Sequence, residues 1–465
     1  MPITAAYIVP HPPLILPEVG KGEERKIQRT IDAYRTAARE IVAVKPDVIV
    51  VSTPHAVSYA DYIHIAPGPS AEGDFTQFGQ PEVRVRARYD EALSEALAEL
   101  CRAEGFPGGL LGQKSPKLDH GFMVPWYFIS QEGGADIPCL RVSISGLSAA
   151  RHYAFGVLLQ KTLENLDKRA VFVASGDLSH KLTEEGPYGF DAMGPAFDQK
   201  ITAMVESADF LPLFEFTEGE CRRAGECGLR SFQMMVGALD GLRVSAALLS
   251  YEGPFGVGYA VGRFRAEGTL RDPARQFLLL YEQRLAETIR QIRAEESPYA
   301  ALARQGLTSY LQGKDWDAAD LARLPTEMLT QKAGVFVSIK KEGQLRGCIG
   351  TIAPACQNIA EEIIMNAISA GTRDERFSPV TPDELDSLVY SVDVLGPPER
   401  VYTPEDLDVT RYGVIVTAGR KRGLLLPNLE GVTTVAEQLS IAYQKGGISP
   451  EEDVVLERFE VVRYR

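Results

Sequence analysis

The stretch VIVVSTPHA, from Val48 to Ala56, decides how the first part of this chain folds. Its opening residues, Val48–Ser52, form a continuous apolar run, which is typical of a strand buried on both faces of a sheet. A helical stripe precedes this run, because apolar residues recur every three or four positions across Glu23–Val44. A buried strand that follows an amphipathic helix indicates a layered α/β arrangement.

The same alternation of strands and helices continues outward from this stretch to about residue 265. Five more strands are predicted, the last two forming a hairpin around a Gly-Pro turn, at Thr4–Val9, Leu140–Ile144, Ala170–Ala174, Val244–Ser250 and Val257–Phe264. Helices are predicted between them, at Ala92–Cys101, Ala149–Leu166, Phe197–Val205 and Arg230–Leu239. The pattern predicts an α/β sandwich with a mixed sheet.

The pattern changes near Ser297, where shorter alternating strands begin. Gly334–Lys340 and Leu388–Val394 alternate as strands, and Ile359–Ser369 is helical. We therefore expect a first domain over residues 1–267, a helical connector over residues 268–296 and a smaller α+β domain over residues 297–465. No internal repeat is visible in the sequence.

Composition excludes several classes of function. The 465 residues suggest two or three domains, and 49 Lys and Arg against 63 Asp and Glu give a net charge of -14. This balance argues against a nucleic-acid or anionic-membrane binder. No apolar run approaches the roughly 20 residues of a membrane span. Six scattered cysteines without a CxxC pair point to a reducing cytoplasm, and no glycine-rich motif predicts a nucleotide site.

All six histidines lie in the first 180 residues. His11 and His55 each follow a predicted strand, and His180 follows another through a short loop. Functional groups collect beyond the carboxyl ends of strands in α/β sheets, so these three imidazoles are expected at one mouth. His120, between Asp119 and Gly121, is expected to join them. His64 and His152 are assigned no role.

Two imidazoles and one carboxylate form a set of ligands for non-haem Fe(II), with open positions for substrate and O₂. Glu226 stands just before a predicted helix and is a candidate for the carboxylate. Cys227 is an alternative ligand, because a thiolate binds iron or zinc. Glu252 fits a turn better than a metal site.

Six motifs occur in the order of a known family: VPHPPLILPEVG, STPHA, LDHGFMVP, SGDLSH, GECGLRSF and YEGPFGVGYAV. Residues 1–265 resemble the class III extradiol ring-cleavage dioxygenases (LigB-like), and most closely their MEMO-like branch. The resemblance implies that His11 and His55 bind the metal and that His120 and His180 act near substrate and O₂. Ring-cleaving members have a glutamate as third ligand and MEMO proteins a cysteine. We expect Glu226 in preference to Cys227.

Residues 297–465 resemble the AMMECR family through the motifs LRGCIG, DERFSP and GLLLP. Cys348 stands between two glycines, a setting that allows close approach by a ligand. With Arg346 it marks a candidate C-terminal site, although a buried structural cysteine explains it equally well. The two halves together resemble the B and A components of the AmmeMemoRadiSam system, which accompany a radical SAM protein. The chain lacks CxxxCxxC and is not that enzyme.

Two functions follow from these expectations. The first is an Fe(II)-dependent dioxygenase that opens a catechol- or aminophenol-like ring, with His180 or His120 as general base. The second is a non-dioxygenase, metal-binding partner of a radical SAM enzyme; a third, weaker idea is zinc hydrolysis. A glutamate facing the metal favours the first and Cys227 the second. Homo-oligomerisation is left open. Aromatic residues near the motifs either contact an aromatic substrate or, equally well, serve structural packing, namely Phe122, Trp126, Tyr188 and Phe190.

Overall fold

The computed structural model of the protein describes residues 2–113, 117–314, 323–429, 431–449 and 451–465. The chain divides into two compact units, Met1–Gln283 and Arg284–Arg465. The last strand of the first unit runs to Arg271, and the helix Phe277–Ala294 spans the division between the units. No helix of the described residues is long and apolar enough to cross a bilayer.

The first unit alternates strands with helices over most of its length. Its strands are β1 (Ile3–Val9), β2 (Val48–Thr53), β3 (Ile63–His64), β4 (Ser70–Phe75), β5 (Gln80–Arg88), β6 (Gly108–Gly109), β7 (Cys139–Ser143), β8 (Ala170–Ser175), β9 (Leu242–Glu252) and β10 (Tyr259–Arg271). Its helices are α1 (Pro17–Gly20), α2 (Gln28–Ala43), α3 (Glu91–Ala103), α4 (His120–Gln131), α5 (Ala149–Asn165), α6 (Met193–Ser207), α7 (Glu218–Ala224) and α8 (Leu229–Ala238), followed by α9 (Phe277–Ala294).

A six-stranded mixed sheet organises this unit, in the order β7-β2-β8-β1-β10-β9. The first four strands of that order run parallel, and β10 and β9 are antiparallel. All six residues of β2 are buried, because an apolar core lies on each face of the sheet. Residues of α2 and α4 belong to one core, and residues of α5, α6 and α8 to the other. The predicted α/β sandwich with a mixed sheet is confirmed.

Three neighbouring parallel strands, β2, β8 and β1, determine where the polar loops meet. Their carboxyl ends lie at the same edge of the sheet. The residues that follow those ends are Pro54-His55, Gly176-Asp177 and Pro10-His11. The strand order therefore brings side chains from three distant parts of the sequence to one edge.

The second unit is a smaller α+β structure. Its strands are β11 (Val335–Lys341), β12 (Gln344–Gly350), β13 (Leu388–Leu395), β14 (Glu399–Val401), β15 (Tyr412–Ala418), β16 (Lys421–Leu425) and β17 (Val455–Tyr464). Its helices, besides the second part of α9, are α10 (Pro298–Leu311), α11 (Thr326–Thr330), α12 (Ile359–Thr372) and α13 (Val435–Gly446).

The sheet of this unit contains an internal repeat that the sequence analysis did not find. Its main order is β12-β11-β13-β17-β15-β16, with β14 paired to β17. On each side of the centre a hairpin is followed by a helix and by a third strand that pairs with the first strand of the hairpin. The segments GVFV at Gly334 and GVIV at Gly413 begin these two halves. The repeat is one of strand pairing, which the residue pattern of the sequence did not show.

A glycine lets a helix pack closely on the outer strand in each half. A methyl group at Gly347 in β12 would lie 2.1 Å from the carbonyl oxygen of Ala370 in α12. A methyl group at Gly423 in β16 would lie 1.9 Å from the carbonyl oxygen of Ala442 in α13. The close approach expected of a ligand beside Gly347 is thus made by the protein's own helix.

Candidate metal centre

His11 is held by hydrogen bonds on both its backbone and its ring. Its amide donates to Oδ1 of Asp177 (2.8 Å), and its Nδ1 lies 2.9 Å from Oγ of Ser175. The Ser175 hydroxyl donates to the carbonyl of Gly121 (2.5 Å). It therefore accepts the Nδ1–H of His11, and this network leaves Nε2 of His11 with a free electron pair.

Two further donor atoms lie close to Nε2 of His11. Nε2 of His55 lies 3.0 Å from Nε2 of His11, and Sγ of Cys227 lies 3.5 Å from it. The ligand atoms of His11, Asp177 and Cys227 all lie within 4.8 Å of one another, as do those of His11, His55 and His120. The arrangement is a candidate site for a single metal ion with nitrogen and sulfur ligands.

The structure does not bring the carboxylate of Glu226 into this group. Oε2 of Glu226 accepts a hydrogen bond from the amide of Leu229 (2.8 Å), the first residue of α8. The carboxylate of Glu226 therefore stabilises the N-terminus of α8, where an acidic group is favourable. The geometry favours Cys227 over Glu226 as the third ligand, and both stay predictions.

A close crossing of two backbones places Cys227 beside His11. A methyl group at Gly176 would lie 2.1 Å from Cα of Gly228. The amide of Gly228 donates to the carbonyl of Asp177 (3.1 Å), and the amide of Asp177 donates to Sγ of Cys227 (3.3 Å). Only glycines allow the loop after β8 and the loop before α8 to approach this closely.

His120 begins α4 and stacks on His55, with ring centroids 4.1 Å apart. Asp119 caps this helix, because its Oδ1 accepts from the amide of Phe122 (3.0 Å). The same oxygen accepts from the hydroxyl of Thr53 (2.6 Å), whose oxygen accepts from the amide of His55 (3.2 Å). Asp119 therefore fixes the backbone of both His55 and His120.

His180 lies beside the group without belonging to either set of ligands. Its ring contacts Tyr188, with centroids 5.2 Å apart. Its Nε2 is buried and has no hydrogen-bond partner among the described residues. An imidazole nitrogen without a partner is free to act on a molecule that enters the site. The roles expected for His120 and His180 stay predictions.

Burial keeps the imidazoles of the site neutral. Desolvation, followed by the neighbouring imidazoles, lowers the pKa of His11 well below its usual value. Desolvation lowers the pKa of His120 to about 4, and it lowers the pKa values of His55 and His180. Burial also raises the pKa of the Cys227 thiol. Neutral imidazoles are ready to bind a cation, whereas the thiol loses its proton when a cation binds.

A cavity of about 860 Å³ adjoins the site and is lined by His55 and His120. Phe78 also lines it and contacts His120, with ring centroids 5.5 Å apart. Phe122 and Trp126 are fully buried in the core, which agrees with the packing alternative for these two residues. Tyr188 and Phe190 are 59% and 47% exposed, respectively.

Four contributors to the site were not assigned from the sequence: Thr53, Phe78, Ser175 and Asp177. Thr53 and Ser175 are the last residues of β2 and β8, so the rule that placed the histidines at strand ends also applies to them. Asp177 is in the quoted SGDLSH motif. Phe78 has no sequence signal, because its position depends on how the β4–β5 hairpin folds over α4.

Both candidate residues of the C-terminal site form hydrogen bonds with other residues of the protein. Arg346 donates to the carboxylate of Glu384 (2.8 Å) and to the carbonyl of Ser378 (2.8 Å). Sγ of Cys348 accepts from the hydroxyl of Ser338 (3.3 Å). The Cys348 amide donates to Asp374 (2.8 Å), and Arg376 donates to the Cys348 carbonyl (3.3 Å). These contacts join the LRGCIG and DERFSP motifs.

The family model for the catalytic LigB subunit of aromatic ring-opening dioxygenase matches residues 5–262. The AMMECR1 family model matches residues 300–465. The chain therefore belongs to the LigB family and carries an AMMECR1 domain after its LigB domain. The predicted fusion of these two domains is confirmed.

Several proteins resemble the chain. Protein CA_C1420 of Clostridium acetobutylicum is 41% identical over 472 residues, covering 100% of both chains. A Thermotoga maritima protein is 49% identical over 173 residues, 37% of this chain and 98% of its own length. Among solved structures, uncharacterized protein PH0010 from Pyrococcus horikoshii is 34% identical, with TM-score 0.33, covering 36% of this chain and 88% of its own. Uncharacterized protein JW3007 from Escherichia coli K12 is 17% identical, with TM-score 0.37, covering 56% and 99%.

The donor set fits a divalent transition metal. Imidazole nitrogen and thiolate sulfur are ligands of zinc and iron. The second hydrogen bond on His11, from Nδ1–H to Ser175, is the kind that orients a metal-binding imidazole. His11 belongs to both groups of possible ligands, one with His55 and His120 and the other with Asp177 and Cys227, and either group would hold the ion.

Proposed function

We propose that the LigB domain binds one divalent metal ion, Fe(II), through His11, His55 and Cys227. We further propose that the protein acts as the non-dioxygenase partner of a radical SAM enzyme, the role implied by the resemblance of its two halves to the B and A components of the AmmeMemoRadiSam system. The observation that supports this role is the position of Cys227, whose sulfur faces Nε2 of His11 at 3.5 Å. Glu226, the ligand that ring cleavage would use, is bonded to Leu229 instead.

The chain's own residues define what happens around the ion. Ser175 fixes the orientation of His11, and Asp119 fixes the positions of His55 and His120 through Thr53 and the start of α4. His180 offers an unpartnered nitrogen beside the site, which can hold a proton of a bound molecule. Bound iron would supply Lewis-acid and redox chemistry; zinc, the alternative ion, would supply Lewis-acid chemistry only.

Ring cleavage of a catechol- or aminophenol-like substrate is the second candidate function. The cavity of about 860 Å³ beside His55 and His120 is within the usual size range of small-molecule sites. Two neutral imidazoles outside the main donor set, on His120 and His180, could exchange protons with a ring hydroxyl. The cavity thus favours a small-molecule ligand without distinguishing a substrate from a bound effector.

The deciding experiment is anaerobic purification of the full chain, followed by measurement of iron and zinc per chain. The variants are His11→Ala and Cys227→Ser, and the matched control is Cys221→Ser, a cysteine of α7 outside both ligand groups. We expect near-stoichiometric metal in the wild type and in the control, and its loss in the two variants. Oxygen uptake is then followed with catechol and with 2-aminophenol.

Each outcome separates the candidates. Bound iron without uptake of O₂ supports the partner role. Ring opening by the iron-loaded wild type, lost in His120→Ala, would replace that role with the dioxygenase. Absence of metal from the wild type, even after anaerobic addition of Fe(II), would overturn both.

A further inference from the structure

One wall of the cavity beside the histidines is formed by a charged face of the β4–β5 hairpin. Glu72 and Asp74 of β4 line it together with Arg84 and Arg86 of β5. The pairs Glu72–Arg86 and Asp74–Arg84 are directly opposite each other in the two strands. Side chains two positions apart leave the same face of a strand, so both guanidinium groups point toward one space.

Most of the carboxylates that line this space already interact with other groups of the protein. Oδ1 of Asp74 accepts from the amide of Thr76 (2.9 Å), where the hairpin turns. The side chain of Asp119 is only 10% exposed and lies 3.8 Å from Arg141. Glu72 is the remaining acidic residue of the lining. The negative charges are therefore less available to a ligand than their number suggests.

Among the residues described, neither guanidinium group is held by a hydrogen bond, although Arg84 interacts electrostatically with Asp74 opposite it and helps to lower the pKa of that carboxyl. Within the part of the chain that the structure describes, neither the side chain of Arg84 nor that of Arg86 makes a hydrogen bond or an ion pair. Arg88, two positions further along β5, differs from them: its guanidinium donates to the carbonyl of Asp136 (3.1 Å) and does not line the cavity. Among the described residues, the arginines of β5 that lack a hydrogen bond are thus the two that line the cavity.

A guanidinium group is a planar fork that matches the oxygens of a carboxylate or a phosphate. Two guanidinium groups lie on one wall of the cavity, and His55 and His120 lie elsewhere in its lining. One molecule can therefore contact the guanidinium groups and the imidazoles at the same time. A cavity of about 860 Å³ accommodates a molecule of that length.

We propose that Arg84 and Arg86 form an anion-binding subsite, and that the ligand of this cavity carries a carboxylate or phosphate group. The ligand binds with its anionic group on the hairpin and its other end toward the imidazoles. The assignment of the imidazole end rests on the proposed function, whereas the subsite itself rests on the hairpin alone.

The test measures binding of three small probes to the full chain by titration calorimetry. Benzoate and phenyl phosphate carry the two candidate anions, and benzamide is a neutral probe of similar shape. Each probe is titrated into chelator-treated protein and into zinc-loaded protein. We expect at least one anion to bind about tenfold more tightly than benzamide, since a hydrogen bond to a charged group contributes on that scale.

Variants of β5 test whether the preference for an anion over benzamide comes from Arg84 and Arg86. We expect Arg84→Gln and Arg86→Gln each to lose most of the preference for the anion, and Arg88→Gln to keep it. Equal binding of benzamide and both anions would overturn the proposal, and so would equal loss in Arg88→Gln, which indicates general surface attraction. Preference for benzoate or for phenyl phosphate identifies the anion. Failure of zinc to bind concerns only the metal centre, because the chelator-treated protein tests the subsite without it.

Discussion

The sulfur of Cys227 lies 3.5 Å from Nε2 of His11, although 216 positions separate the two residues. The contact depends on the crossing of Gly176 and Gly228, which brings the loop before α8 against the loop after β8. A nitrogen and a sulfur donor are thereby placed side by side at the carboxyl ends of the central strands. Four predictions follow from this site and from the second unit.

The first prediction distinguishes the two adjacent candidates for the third ligand. Cys227→Ser should weaken metal binding at least about a hundredfold, because loss of a ligand exceeds the loss of a group that merely orients one. Glu226→Gln should keep the metal, since its side chain can still accept from the amide of Leu229. Cobalt(II) replaces the native ion as a probe: a thiolate-to-metal absorption band is expected in Glu226→Gln and not in Cys227→Ser. The reverse result would restore Glu226 as the ligand.

The second prediction concerns Asp119, which caps α4 and accepts from Thr53. Asp119→Ala should cost about 1–2 kcal/mol of unfolding free energy. It should also weaken metal binding roughly 10–100-fold, because His55 is positioned through Thr53. Ser148→Ala is the control: Ser148 caps α5, so its loss should cost about 1 kcal/mol without affecting the metal. Denaturant titrations and metal competition measure the two effects, and equal metal affinity in both variants would contradict the positioning role.

The third prediction concerns acid stability of the second unit. A hydrogen bond from Arg346, then one from Lys341, lowers the pKa of Glu384 to about 2 from its usual 4.5. The folded state therefore binds fewer protons than the unfolded state between these values. The stabilisation is fully present above about pH 4.5 and is lost as the pH falls toward 2.

Arg346→Gln tests this, with amide exchange of β12 as the readout. The variant should increase exchange of β12 amides at pH 6, and its difference from wild type should shrink as the pH falls from 4.5 toward 2, because protonation of Glu384 in the unfolded state removes the stabilisation. Partial exposure of the pair keeps the effect small throughout. Lys340→Gln is the control, since Lys340 lies on an exposed position of the neighbouring strand β11. A difference that stays constant with pH would refute the role of Glu384.

The fourth prediction tests the internal repeat. Gly347→Ala and Gly423→Ala should each cost about 1–3 kcal/mol, because each methyl group meets a helix carbonyl. Gly343→Ala, in open space but at φ 77°, should cost about 1 kcal/mol through its backbone alone. Thermal unfolding compares the three. A tolerated substitution at Gly347 or Gly423 would mean that its helix is not closely packed on its strand.

The sequence predicted the sheet and the histidines of the site because both depend on local patterns. Continuous apolar runs indicated buried strands, and the position of His11 and His55 just beyond two of them was visible in one dimension. The choice between Glu226 and Cys227 was not visible. Which of two adjacent loop residues directs its side chain toward the site depends on the backbone conformation. Here a contact between Gly176 and Gly228 sets that conformation.

Two other features of the structure have similar causes. Phe122 and Trp126 lie close to a functional motif in sequence, yet α4 turns both side chains into the core. The repeat in the second unit escaped notice because its halves share few residues and have hairpins of different length. Strand pairing, not residue identity, reveals their equivalence.

The side chains that contact Cys348 affect whether the protein can aggregate through its second sheet. Strand β12 is an end strand of its sheet, and such a strand can recruit a strand from another molecule and so start aggregation. Asp374 accepts from the Cys348 amide and Arg376 donates to the Cys348 carbonyl, as the backbone of an added strand would. The DERFSP motif thus occupies the place of a foreign strand, and at this point the sheet is closed to growth.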